Sequence, residues 1–304
     1  MNNKVCITGA TGFIGRKLVS KLLYLGYEIT VITRSIEKTK FVLPSEVKYL
    51  SWNSAQQEFI DALFNTGTII HLAGENLLSR LWTKKQKNLI RSSRINSTKR
   101  LIEIITMLDK KPRVFIAASG INYYGNTENQ VDELSPKGKD FLADVVAEWE
   151  NETKQVDILG VRRINLRTGI VFDKNEGAFA KMVLPFKLFL GGPLGSGNQW
   201  MSWIHIEDLI NMYVFLLENE NTSGVVNGVA PNPVRMKAFA KTLGAIMHRP
   251  TFFRVPSFVL KIILGEAATL VLDGANVFPK KAVEYGFKFQ FENLDEAIKK
   301  ILSK

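Results

Sequence analysis

Cysteine is nearly absent from this chain. Cys6 is the only one among 304 residues, so no disulfide can form within the chain. A reducing, cytoplasmic setting is expected from that. The three histidines, His71, His205 and His248, lie far apart. With a single thiol they offer no metal-ligand spacing, and no metal site is expected. No apolar run is long enough to span a bilayer, which takes about 20 nearly unbroken apolar residues. The most apolar stretch, 252–272, is broken by Arg254, Pro256, Lys261, Gly265 and Glu266. The opening residues reach a glycine turn after a few apolar positions, unlike the long apolar core of a secretory signal. Neither membrane nor export is therefore expected. Dense blocks of like charge are also missing. The formal net charge is +11, but the lysines and arginines are scattered. That argues against nucleic acid as a partner and for a solvated basic surface plus a phosphate-rich small ligand.

Apolar residues make up 46% of the chain and charged residues 23%, ordinary values for a globular protein. The first half alternates in period. Short apolar or β-branched runs at 5–8, 28–33, 47–51, 68–72, 113–118 and 159–166 predict strands. Between them, helical spacing at 13–25, 57–64, 83–108 and 141–154 predicts helices. Strands alternating with helices predict an α/β fold, a doubly wound parallel sheet of Rossmann type covered on both faces. After Gly169 the texture changes. Helices are predicted at 177–190, 206–217, 235–247, 256–264 and 294–302, with one strand at 225–229 and a glycine-rich loop at 191–197. The expected division is a dinucleotide-binding domain over 1–170 and a smaller mixed α/β substrate part over 171–304, with no linker or repeat between them.

The first strand runs into GATGFIG at 9–15. The first glycine permits a tight turn, the second lets a pyrophosphate reach the backbone, and the third lets the helix pack on the strand. The helix N-terminus then faces the phosphates. A glycine triplet alone is weak evidence. Here it follows a predicted strand and opens an amphipathic helix, the context that gives it meaning. The tip of the second strand reads Thr33-Arg34-Ser35, with no acidic residue. A carboxylate there would hold the ribose hydroxyl of NAD. A guanidinium instead pairs with the extra phosphate of NADP(H), which makes NADP(H) the expected cofactor ahead of NAD(H).

GATGFIG, HLAGEN (71–76), SRINST (93–98), YYG (123–125) and LRTGIVF (166–172) together resemble the extended short-chain dehydrogenase/reductase superfamily. DFLADVVAEWE (140–150), LGGPLGSGNQWMSWIHIEDL (190–209), NGVAPNPV (227–234) and GEAATLVLDGANVFPKK (265–281) resemble its atypical epimerase-like branch. That branch is an NADP-binding group of the epimerase/dehydratase type with a C-terminal tail of unknown function, here about 235–304. The resemblance implies that Gly9, Thr11, Gly12, Phe13 and Ile14 surround the pyrophosphate and that Thr33 and Arg34 hold the adenosine phosphate. It implies that Leu72, Ala73, Gly74 and Glu75 line adenine and ribose, with Arg94 reaching in from the next helix.

The superfamily's acid/base pair is Tyr-x-x-x-Lys on one helix, the ammonium lowering the phenol's pKa. None of the seven tyrosines here has lysine four residues later, and the matching positions are Leu142 and Val146. Ser119 and Tyr124 are the candidate substitutes as catalytic residues, with Tyr123 beside them; a half-buried wall role is the competing reading. Trp200, Trp203 and His205, with the 191–197 loop as a lid, are candidates for the substrate pocket. The competing reading is ordinary packing and a capping or core histidine. Asp140, Asp144 and Glu148 share a helix face, which reads first as a solvated stripe. The expected function is an NADP(H)-dependent oxidoreductase or epimerase acting on an unidentified small polar metabolite, a nucleotide sugar being one candidate. The alternative is a non-catalytic NADP(H)-binding sensor or partner-binding protein. Either would be a monomer or a homodimer.

Overall fold

The computed structural model describes residues 3–303. Strand and helix alternate from the start: β1 (Lys4–Thr8), α1 (Phe13–Tyr24), β2 (Glu28–Thr33), α2 (Ile36–Lys40), β3 (Lys48–Ser51), α3 (Gln56–Ala62), β4 (Thr68–His71), α4 (Lys84–Met107) and β5 (Val114–Gly120). Next come β6 (Thr127–Val131), α5 (Phe141–Thr153), α6 (Gln155–Ile158), β7 (Arg162–Thr168) and β8 (Ile170–Phe172). The remainder holds α7 (Gly177–Lys187), β9 (Trp200–Met201), β10 (Trp203–His205), α8 (Ile206–Glu218), β11 (Gly224–Gly228), β12 (Val234–Arg235) and α9 (Met236–Met247). It ends with α10 (Ser257–Leu264), α11 (Thr269–Leu272), β13 (Ala275–Val277), α12 (Lys280–Glu284) and α13 (Leu294–Leu302).

Seven strands form one sheet in the order β11–β7–β5–β4–β1–β2–β3. Every pairing in it is parallel. Parallel strands are covered on both faces, so alternate residues of one strand enter different cores. β1 shows this directly. Val5 and Ile7 pack with Leu18, Leu22 and Leu209 from α1 and α8. Cys6 packs on the other face with Phe59, Leu101 and Phe115. Cys6 is fully buried, and burial pushes its thiol up to about 12, so it stays protonated and inert. The chain winds outward from β1 in both directions. That leaves a crevice beyond the carboxyl ends of β1 and β4, the place where sheets of this kind bind ligands.

The expected cut at residue 170 does not follow the sheet. β11 pairs with β7, and α8 packs in the same core as α1. Residues 206–228 thus return to the seven-stranded sheet and its core, and what remains of the C-terminal part builds its own core around Phe172, Phe179, Trp203 and Phe239. β7 begins at Arg162 rather than at 159, because α6 and a turn with Gly160 at φ +71° occupy the preceding residues. Among the described residues no helix is long and apolar enough to cross a membrane.

Candidate functional site

β1 delivers the chain into the glycine turn, and geometry dictates the glycines. Gly9 has φ +71°, and a Cβ there would lie 2.6 Å from the carbonyl carbon of Leu72 on the neighbouring β4 connection. A Cβ on Gly15 would lie 2.5 Å from the Gly9 oxygen. The turn therefore closes against both the sheet and α1. α1 begins at the N-cap Gly12, which supplies no side-chain acceptor, and no acidic residue sits in its first turn. α4 and α5 differ, since Thr83 and Asp140 accept from Gln86 N and Ala143 N. The first N–H groups of α1 are left to an outside acceptor, and the helix dipole favours an anion.

A cleft of about 590 Å³ opens from this turn across the ends of β1, β2 and β4. Gly9, Thr11, Gly12, Thr33, Arg34, Leu72, Ala73, Gly74 and Glu75 all line it. Arg34 is exposed there and makes no ion pair or hydrogen bond with any described residue. Trp52, Ser93, Asn96 and Arg100 also line the cleft and were missed from the sequence. SRINST contains two of these, Ser93 and Asn96, and helical spacing carries that face on to Arg100. Trp52 directly follows β3, a position with no motif of its own.

On the other side of the turn lies a second cleft of about 450 Å³. Phe13 and Ile14 line this one rather than the first. Leu142 lines it too, from the first turn of α5, while Val146 one turn on is buried. The helix thus presents an aliphatic side chain where the superfamily resemblance puts its phenol. Among the described residues, the only titratable side chains on the wall are Asp140 and Asp273. Partial burial raises the pKa of Asp273, the charge of Asp140 raises it further, and Lys261 opposes them. Asp273 belongs to the loop before β13, far along the chain from the other site residues; it lies within GEAATLVLDGANVFPKK, but nothing in that stretch pointed to an acid/base role.

Residues 5–227 match the NAD dependent epimerase/dehydratase family. The chain belongs to that family. Residues 255–301 match a domain of unknown function, DUF1731. Relatives include the chloroplastic SDR39U1 homolog of Arabidopsis thaliana, 40% identical over 98% of this chain and 86% of the relative. The epimerase family protein YfhF of Bacillus subtilis is 35% identical over 98% of both chains. Among solved structures, human epimerase family protein SDR39U1 with NADPH superposes with a TM-score of 0.88, at 32% identity over 98% of both chains. A nucleoside-diphosphate sugar epimerase from Corynebacterium glutamicum gives 0.78 at 28% identity, over 98% of this chain and 57% of that one.

Several side chains singled out within this epimerase-family sequence lie away from both clefts. Ser119 donates to Glu150 Oε1 at 2.6 Å. Arg167 Nη1 donates to the Tyr124 hydroxyl at 3.0 Å, and that hydroxyl donates to Asn227 Oδ1 at 2.8 Å. Burial holds the Tyr124 phenol up at about 12, against the pull of Arg167. Both candidate catalytic groups are thus buried, hydrogen-bonded within the protein and outside the lining of both clefts. Tyr123 packs its ring under Arg167 at 3.3 Å. Trp203 is fully buried and stacks on Phe172 at 5.2 Å, so it is core rather than pocket wall. His205 is also buried. It accepts from Glu207 N at 3.1 Å as the N-cap of α8 and packs on Phe291, and burial lowers its pKa. Its neighbours place it on a different cleft, beside Lys17 and Asp173. Of the four expected pocket residues, only Trp200 lines the second cleft.

Arg94 does not line the first cleft either. It folds beneath Gly74, where a Cβ would meet its Cζ at 3.3 Å, and lies over the Trp149 ring at 5.3 Å. Burial lowers its pKa to about 10. The 191–197 loop is no free lid. Phe253 N and Val255 N donate to Gly191 O and Pro193 O, and Gly195 N donates to Val255 O, so the tail clamps it. Of the acidic stripe, Asp144 pairs with Lys137 and Glu148 with Arg91, which leaves only Asp140 at the cleft.

Proposed function

We propose that this chain is an NADP(H)-dependent oxidoreductase of the epimerase family, in which Asp273 takes the place of the missing tyrosine as proton donor. The observation that carries the reading is the uncapped N-terminus of α1 set between two clefts, with an unpaired Arg34 in one and a lone carboxyl pair in the other. The residues suit the group. The glycine turn has no room for side chains, the helix start carries no competing acid, and the β2 tip offers a guanidinium instead of a carboxylate. The human relative named above, solved with NADPH, supports the same choice of cofactor.

When bound, the reduced nicotinamide would supply a hydride. The protein's share is orientation and a proton. Thr11, Gly12 and Arg34 would anchor the phosphates. Phe13, Ile14 and Leu142 give the second cleft a water-poor wall. Asp273, whose pKa is raised by burial and by Asp140, would give its proton to the substrate oxygen as a carbonyl is reduced to an alcohol, and would take it back in the reverse direction. Calorimetry with NADPH and NADH tests the first half, and transfer of deuterium from C4-labelled NADPH to a panel of carbonyl compounds tests the second. Failure to bind either cofactor refutes the reading. Tight NADPH binding with no transfer to any compound refutes catalysis and favours the sensor.

A further inference from the structure

We propose that the substrate of this site is an uncharged or cationic small molecule with an apolar arm, and that the arm occupies an apolar cavity directly behind the second cleft. This rests on the reading that the reaction takes place in that cleft. The cavity measures about 240 Å³. Leu78, Ala178, Met182 and Val271 belong to both walls, so cleft and cavity adjoin across these side chains. Phe186, Leu194, Phe239, Leu260 and Leu264 are among the other apolar side chains of the lining, and Lys181 is its one charged residue among the described residues. A dry apolar cavity of about 150 Å³ already accepts benzene, so this one has room for a substituted ring or an alkyl chain of roughly eight carbons.

The cavity is built rather than incidental. A Cβ on Gly192 would lie 2.1 Å from Phe253 O, so that wall is packed backbone to backbone. Gln199 Nε2 donates to Leu194 O and Val271 O, at 3.0 Å and 2.8 Å, tying the loop to α11. α10 and α11 come from the DUF1731 region, which gives that region a role as the wall of the substrate site. Leu190 lines the cavity while remaining 53% exposed, so the apolar surface reaches solvent there.

Charge excludes the substrate first expected from the sequence. No Lys, Arg or His lines the second cleft, and two carboxylates do. A nucleoside diphosphate would bring two negative charges against Asp140 and Asp273, and Lys261, the lysine that acts on Asp273, lies outside that wall. A neutral or cationic head group meets no such barrier.

The test is calorimetry on the NADPH-loaded protein with 1-butanol, 1-hexanol, 1-octanol, hexylamine and UDP-glucose. Affinity should rise about fourfold per added methylene, the gain from burying each one. Hexylamine should bind at least as well as 1-hexanol, and UDP-glucose should not bind. Leu264→Phe, at a position that lines the cavity but neither cleft, should narrow the cavity and abolish the chain-length dependence while leaving NADPH affinity unchanged; Leu260→Phe serves the same purpose from α10 if the first variant does not fold. Affinity that is flat with chain length, or UDP-glucose binding more tightly than 1-octanol, overturns the proposal. The same alcohol series on the cofactor-free protein separates the two readings. Chain-length dependence without any NADPH binding would sink the proposed function and leave the cavity assignment standing.

Discussion

Arg167 meets Glu150 twice, Nε to Oε1 at 2.8 Å and Nη2 to Oε2 at 2.7 Å, with the two side chains only 3% and 8% exposed. Ser119 and Tyr124 hang on this pair, one on each partner. Arg167→Met leaves a buried carboxylate without its cation and should cost about 3–5 kcal/mol in urea denaturation. Tyr124→Phe removes one hydroxyl from the network and should cost about 1 kcal/mol, with NADPH affinity unchanged. A tenfold loss of NADPH affinity or turnover in Tyr124→Phe at near-normal stability would return the phenol to the active site.

On the proposed reading, Arg34 in the first cleft sets the preference for the phosphorylated cofactor. It has no protein partner to lose, so its replacement should not disturb the fold. A charge-assisted hydrogen bond contributes about 1.5–3 kcal/mol. Arg34→Ala should therefore weaken NADPH binding by roughly 10–100-fold and leave NADH binding nearly unchanged. Arg34→Glu should go further and reverse the preference. Calorimetric titration with both cofactors reads this directly, and equal losses for the two would show that Arg34 serves something other than the extra phosphate.

Local chemistry was legible in the sequence wherever it alone decides structure. EITVIT forms a strand over the residues predicted, 28–33, because β-branched side chains suit a buried sheet. The glycine turn was readable because only glycine fits between β1, α1 and the Leu72 carbonyl. What stayed hidden depends on partners distant in the chain. β11 joins β7 across α7 and α8, and nothing in GVVNG names its neighbour. β6 reads TENQV, too polar to suggest a strand, and pairs with β13 from the tail. Trp203 and His205 sit among apolar residues, as a pocket wall and a core both would, and burial alone decides between them. Ser119 and Tyr124 looked free because Glu150 and Arg167 arrive from α5 and β7.

His71 makes stability depend on acid. It is fully buried, shares a 2.6 Å hydrogen bond with Thr8, and lies within 3.1 Å of the Thr98 hydroxyl. Burial first, and then the charge of Arg94, pushes its pKa down from 6.5 to about 3. Below pH 6.5 the unfolded chain therefore takes up a proton that the folded chain refuses. Stability from this group is complete above pH 6.5 and is lost as pH falls towards 3, at up to about 1.4 kcal/mol per unit. His71→Asn should cost stability at pH 7 through lost packing but flatten the slope between pH 6 and pH 4. Urea midpoints for both proteins across that range give the comparison, and parallel slopes would show that His71 is not the group responsible.

Asp273 makes opposite demands on activity and stability. Its folded pKa is raised above the ordinary 3.8. In the window between those values the folded chain holds a proton that the unfolded chain has released, so stability falls as pH rises through it. Asp273→Asn removes that penalty, and the variant should be at least as stable as the parent at pH 7. As the proton donor is lost, turnover should fall by about 100-fold or more, with NADPH affinity unchanged. Asp140→Asn separates the two carboxyls. Asn keeps the N-cap of α5, as Asp140 does through Ala143 N, but removes the charge that raises Asp273. Turnover in that variant should survive, with the fall at rising pH displaced to lower pH. If Asp273→Asn retained full turnover, or Asp140→Asn left the pH profile where it was, proton transfer would have to come from a group outside this carboxyl pair.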